Sequence, residues 1–190
     1  EVWLEIGFGG GEHLLAQLAQ NPDVAIVGCE PFMNGAAKLV SQLSSDDYPR
    51  VRIWHDDVRH LLTHIPPAFF SRAFILFPDP WPKKRHQPRR LITTGFMATL
   101  LASLKEGALL YVASDDVSYV EQIQEVLYPH PELTLCEGPP SPDSATWGPR
   151  PEGWPPTRYE QKALSQGKKC AYMVFQKKGE TGAGEGNRTL

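Results

Sequence analysis

The chain is poor in cysteine, has no long apolar run and carries almost no net charge. Cys29, Cys136 and Cys170 are odd in number and isolated, without a CxxC pair or a histidine at metal-ligand spacing. That pattern argues against a disulfide frame and against a zinc site, and leaves free cysteines of the core type. No window approaches the about 18 consecutive apolar residues that a membrane span needs, and the first residues lack the charged-then-apolar order of a signal peptide. A soluble, cytoplasmic protein with no membrane partner is therefore expected. His13, His55, His60, His64, His86 and His130 form no HxxH or HExxH pair, so no metal is expected. There is also no GxSxG, which leaves hydrolase chemistry without support.

What the chain does have is one dense cluster of charge. Residues 79–90 read DPWPKKRHQPRR, and Lys83, Lys84, Arg85, Arg89 and Arg90 stand together in a protein whose net charge is only -3. Concentrated cations on a near-neutral chain suit a polyanion docking at one place, although a solvated basic loop has the same composition. The preceding run Ala73-Phe74-Ile75-Leu76-Phe77 has the character of a buried central strand. Asp79 then falls just past the strand's carboxyl end, where open α/β sheets bind ligands.

At 190 residues, 41% of them hydrophobic, the chain has the size of one domain with one core. It begins at Glu1 without a methionine and enters a strand at once, so a preceding N-terminal segment is expected. Strand patterns at 2–6, 23–29, 51–54, 74–77 and 108–113 alternate with helical spacing at 12–20, 34–43, 91–104 and 117–127, and with a brief helical turn near 61–65. Alternation of this kind predicts an α/β fold with a mostly parallel sheet and helices on both faces. Apolar runs at 133–136 and 170–176 add two more strands, expected as a hairpin-like antiparallel pair at one edge. The stretch GPPSPDSATWGPRPEGWPP is over one third proline and cannot run as helix or sheet, so 138–157 is expected to be a flap. The domain is expected to span 1–178, and the Gly- and Glu-rich 179–190 to form a disordered tail.

The carboxyl edge collects the candidate chemistry. Gly7-Phe8-Gly9-Gly10-Gly11 joins the first strand to the first helix and lets backbone amides approach a ligand. Glu30 lies 23 residues beyond Gly7, near the offset of about 20 at which an acid accepts from a ribose diol. The third glycine of GxGxxG is missing from its usual place, so a pyrophosphate fits less well than a cofactor without one. Glu5 points the same way, because an acid near the loop repels a pyrophosphate and attracts a cationic sulfonium and ammonium. S-adenosylmethionine is thereby favoured over NAD; the alternative for Glu5 is an internal salt bridge. Asp56 fits an adenine amino group or a helix cap, with Asp57 the nearer candidate for the cap. Pro78 and Pro80 stiffen Asp79 into a fixed acceptor, and Trp81 either stacks on a nucleobase or closes the sheet. Lys83, Lys84, Arg85, Arg89 and Arg90 would take phosphates, the last two from the start of the following helix.

These residues resemble the tRNA (guanine-N7-)-methyltransferases of the bacterial type. The likeness rests on LEIGFGGG at 4–11, GCEP at 28–31, HDDV at 55–58, FPDPWPKKRH at 77–86 with Arg89 and Arg90, ASDD at 113–116 and TRYE at 157–160. It implies a Rossmann-like class I fold with a seven-stranded sheet, S-adenosylmethionine as cofactor, and methyl transfer to a guanine of the tRNA variable loop. It further implies cofactor contacts by Glu5, Gly7, Gly9, Glu30, Asp56 and Asp79, with Asp79 catalytic. Substrate contacts fall to Lys83 and Asp115, beside the phosphate contacts read above for Arg85, Arg89 and Arg90, and Thr157, Arg158, Tyr159 and Glu160 form a closing segment. No obligatory protein partner is implied, so a monomer or homodimer is expected. Pro88 departs from the family pattern by replacing a basic residue. Two other functions compete: an RNA- or partner-binding module without catalysis, and a nucleotide-dependent oxidoreductase on the same sheet.

Overall fold

The computed structural model describes residues 1–140 and 147–179. Seven strands, β1 (Val2–Ile6), β2 (Ala25–Cys29), β3 (Val51–Trp54), β4 (Phe70–Leu76), β5 (Leu104–Ser114), β6 (Leu133–Glu137) and β7 (Ala171–Lys177), form one sheet in the order β3-β2-β1-β4-β5-β7-β6. β3, β2, β1, β4 and β5 are mutually parallel. β7 runs antiparallel between β5 and β6, so the expected edge pair forms with β6 outermost. The helices are α1 (Glu12–Gln20), α2 (Met33–Val40), α3 (Val58–Leu62), α4 (Thr94–Ser103), α5 (Val117–Leu127) and α6 (Arg158–Ser165).

Alternation along the strands divides the core into two layers. Leu4, Ile6, Ala73, Ile75, Leu110 and Val112 face α3, α4 and α5, whereas Trp3, Ile26 and Phe74 face α1 and α2. Phe74 is fully buried and stacks on Tyr111 at 5.1 Å between ring centroids. Cutting it to alanine would cost about 3–5 kcal/mol. Cys29 is buried as a core thiol, but Cys136 is exposed on β6 and Cys170 is half-buried, so only the first fits the expected core type.

The local signals account for most element boundaries. Asp57 caps α3 by accepting from the Arg59 backbone N–H, and Asp116 caps α5 by accepting from that of Tyr119. Two readings needed revision. The helix expected from Leu91 starts only at Thr94, where the Thr93 side chain caps it by accepting from Phe96 N. The strand expected from residue 108 starts at Leu104, so Lys105-Glu106-Gly107 lies inside β5 at a register shift opposite Phe70 and Arg72. α6 was not foreseen, since the prolines before it mask its N-cap: Thr157 Oγ1 accepts from Glu160 N at 3.2 Å.

Positions 141–146 of the expected flap and 180–190 of the expected tail lie outside the described residues. Residues 147–157 carry no helix or strand and cross the sheet as a strap. Among the described residues no helix is long and apolar enough to cross a membrane.

Candidate functional site

Strand order reverses direction between β1 and β4, and the cleft sits at the carboxyl ends of those strands, as in other open α/β sheets. It measures about 300 Å³. Ile6 and Gly7 form one wall, Glu30 to Phe32 and Asp56 to Arg59 a second, and Phe77 to Asp79 with Trp81 and Arg89 a third. Tyr159 reaches in from α6.

The glycine loop owes its shape to backbone conformations that side chains resist. Gly7, Gly9 and Gly11 have φ of 74°, 56° and 83°. Around Gly7 a Cβ would meet nothing within 4 Å, so its backbone faces open cleft. α2 presses on the loop so closely that a Cβ on Gly35 would lie 2.4 Å from the Gly9 carbonyl oxygen.

Glu30 ties this loop to the end of β2. Its Oε2 accepts from Gly9 N at 2.8 Å and its Oε1 from Phe32 N at 2.9 Å. The side chain is almost fully buried, yet it lines the cleft. A carboxylate already organised by two amides, beside an open glycine backbone and an acid on the next strand, suits a ribose diol and an adenine edge. These residues therefore fit an adenosine cofactor lacking pyrophosphate.

Asp56 also lines the cleft and is exposed. The Asp57 backbone N–H, 2.7 Å away, and the His60 ring, 3.1 Å away, hold its carboxyl below the usual range. Asp79 lines the opposite wall and is exposed, with no side-chain hydrogen bond among the described residues. Left-handed φ values at Phe77 (53°) and Trp81 (43°) bracket it. Bulky residues rarely adopt that region, and such outliers concentrate where a fixed geometry serves function. Trp81 is half-buried at the cleft wall, with the Arg89 guanidinium 4.9 Å from its ring centroid.

The basic cluster divides. Lys83, Lys84, Arg85 and Arg89 are exposed along a 3-10 segment, Lys84–Arg89, that contains Pro88. Arg90 is buried, which overturns its expected phosphate role. Its Nε donates to the Pro80 carbonyl at 2.7 Å and its terminal nitrogens to the Ser118 carbonyl, Ser118 Oγ and Gln122 Oε1. Neither Arg89 nor Arg90 begins a helix, as had been expected, because α4 starts four residues later.

Glu5 is placed on the strand before the glycine loop rather than on the cleft wall. It is buried and absent from the cleft lining, and its Oε2 meets His13 Nδ1 at 2.8 Å, so the internal pair weighed against the cofactor contact is present. Gln17 meets the other ring nitrogen at 3.1 Å. Asp115 is paired with Lys168 at 2.8 Å. In the closing segment, Thr157 is a helix cap and Arg158 approaches Tyr159, with its guanidinium 5.0 Å from the ring centroid. Glu160 is buried and receives both 2.8 Å bonds from Arg150. Sequence reasoning missed Arg150, His13 and Trp154, whose partners are distant in the chain.

Solved structures share this architecture. An rRNA methylase from Streptococcus thermophilus superposes with a TM-score of 0.59 at 12% identity, over 94% of this chain and 87% of its own. The plantazolicin methyltransferase BpumL in complex with SAH does so at 0.59 and 13%, over 94% and 76%. Fold and cleft together define a class I S-adenosylmethionine-dependent methyltransferase architecture. A family model described as "Putative methyltransferase" matches residues 1–173. The tRNA (guanine-N(7)-)-methyltransferase of Rhodospirillum rubrum is 42% identical over 179 residues, 94% of this chain and 68% of that protein. The one from Ruegeria sp. (strain TM1040) is 45% identical over 177 residues, 93% and 68%. The chain belongs to the tRNA (guanine-N(7)-)-methyltransferase family.

Proposed function

We propose that this chain transfers a methyl group from S-adenosylmethionine to N7 of a guanine in tRNA. The observation that carries the reading is one cleft in which Glu30, the open Gly7 backbone and Asp56 face Asp79 and Trp81 across the switch point. A row of exposed cations leads away from the Asp79 side.

Glu30 and Asp56 hold the ribose and adenine, with the Gly7–Gly9 backbone beneath them. When bound, S-adenosylmethionine supplies an electrophilic methyl group on a sulfonium. Guanine N7 carries an in-plane lone pair and has no proton to lose, so no general base is needed and positioning dominates. Asp79 accepts from the N–H edge of the base and compensates the positive charge that develops on the purine. Trp81 and Tyr159 bound the base pocket. Lys83, Arg85 and Arg89 take phosphates of the tRNA backbone, and Asp115 stands on the substrate side. The cytoplasm, where tRNA resides, is the proposed location.

The reading is tested by incubating the chain with methyl-labelled S-adenosylmethionine and unmodified tRNA, then digesting the RNA to nucleosides. Label in 7-methylguanosine is expected. Label in another nucleoside, or none in tRNA while the cofactor binds, overturns it. Sequencing the labelled fragment tests the variable-loop assignment.

A further inference from the structure

The strap ahead of α6 is pinned at one point. The Trp154 ring centroid lies 4.3 Å from that of His13, 5.1 Å from Tyr111, 5.6 Å from Phe74 and 6.4 Å from Tyr172. One indole therefore touches α1, β4, β5 and β7 at once. Beneath it is the hydrogen-bonded chain Glu5–His13–Gln17, all three side chains buried. Burying linked polar groups makes the cover above them consequential, because removing it admits water to a site whose groups are already satisfied. Two clamps flank the indole: Gln20 Nε2 donates to the Gly153 carbonyl at 2.7 Å, and Arg150 holds both oxygens of Glu160.

We propose that Trp154 is a positioning residue of the reaction, the anchor that seats Tyr159 at the mouth of the cleft; this rests on the function proposed above. Only Pro155 and Pro156 separate Trp154 from the Thr157 cap of α6. Prolines fix φ and remove the backbone freedom that would absorb a shift, so displacement of the indole passes to the start of the helix. Tyr159 stands two residues beyond the cap, in the first turn of the helix. Its Cε2 lies 3.1 Å from where a Cβ on Gly9 would be, so the ring rests against the glycine loop. Trp154 itself lies outside the cleft lining, and it acts through Tyr159 rather than on substrate.

The test uses the full chain with Trp154→Ala, Trp154→Phe and, as a fully buried control on the opposite face of the sheet, Leu100→Ala. Trp154→Ala is expected to lower kcat/KM for methyl transfer by about 10- to 100-fold, the scale of a misplaced closing group. Trp154→Phe should recover most of that, and Leu100→Ala should keep wild-type kcat/KM below its melting temperature. Proteolytic cleavage within 147–157 should rise in Trp154→Ala, with S-adenosylhomocysteine protecting that segment in the wild type and not in the variant. Wild-type kcat/KM in Trp154→Ala overturns the anchor, as does an equal loss in Leu100→Ala, which would mark a purely structural role. Should the wild type methylate no tRNA, the functional reading fails by itself. Unchanged cleavage and unchanged S-adenosylhomocysteine affinity in Trp154→Ala would then still overturn the anchor.

Discussion

Arg90 Nε donates to the carbonyl oxygen of Pro80 at 2.7 Å, one residue beyond Asp79. The same guanidinium reaches Ser118 and Gln122 on α5 and lies 3.8 Å from Asp116, so it fastens the loop that carries Asp79 to a helix on the far layer. Replacing Arg90 with alanine should destabilise the fold by about 2–4 kcal/mol, because half-buried partners lose charged donors and the buried space is left unfilled. Lysine should restore little, since it has no planar fork. Urea denaturation checks both, and a wild-type midpoint for Arg90→Ala would contradict the assignment.

The exposed cations should behave in the opposite way. Changing Lys83, Arg85 or Arg89 to glutamine should leave the urea midpoint within about 0.5 kcal/mol of wild type, as for other surface substitutions. Each change should reduce the slope of log Kd for tRNA against log salt by about 1 if it removes one phosphate contact. Filter binding over a salt series measures this. An unchanged slope in all three variants would remove the phosphate role.

Gly35→Ala should act on the cofactor without touching it. The added Cβ would lie 2.4 Å from the Gly9 carbonyl oxygen, too close to remain. The glycine loop must shift, and with it the Gly9 N–H that Glu30 accepts. Overpacking of this kind costs about 1–3 kcal/mol. Calorimetric titration with S-adenosylhomocysteine is expected to show binding weakened by at least about tenfold, the equivalent of 1.4 kcal/mol.

The cysteines should separate by burial. Desolvation pushes the Cys29 thiol from 9.0 up to about 12, with the Asp57 charge adding to it, and lifts Cys170 to about 11. Native alkylation with iodoacetamide at pH 8 should therefore label exposed Cys136 first and Cys29 only after unfolding. Raised values mean that the fold favours the protonated forms. Burial likewise holds the Tyr119 hydroxyl up at about 12. The stability contributed by Cys29 and Tyr119 is thus whole below about pH 9 and is lost as pH climbs towards 12. Alkaline denaturation should begin in that window, and early labelling of Cys29 at pH 8 would contradict its burial.

How much of this was legible in the chain depended on whether the deciding partner was near in sequence. The capping acids Asp57 and Asp116, the glycine loop and the apolar strands act locally, and they were readable as such. Asp79 was placed at its strand end by the apolar run before it. Arg89 and Arg90, in contrast, are chemically identical neighbours. Only the packing of α5 against the loop decides that one stays in solvent while the other is buried. Glu5 was read as a cofactor ligand because its partner His13, on the next helix, had no visible reason to turn inward. Trp154 stood in a proline-rich stretch whose composition argued against structure, and its nest comes from four distant segments.

The most direct test is a single-turnover measurement of methyl transfer to tRNA guanine by Asp79→Ala and Asp79→Asn, at saturating S-adenosylmethionine. The account predicts that Asp79→Ala slows transfer by about 100-fold or more, in the range of removing one preorganised electrostatic group, while its urea midpoint matches wild type. Asp79→Asn, which keeps the shape but loses the charge opposite the developing cation, should fall between the two. Transfer by Asp79→Ala at a rate near wild type would contradict the account.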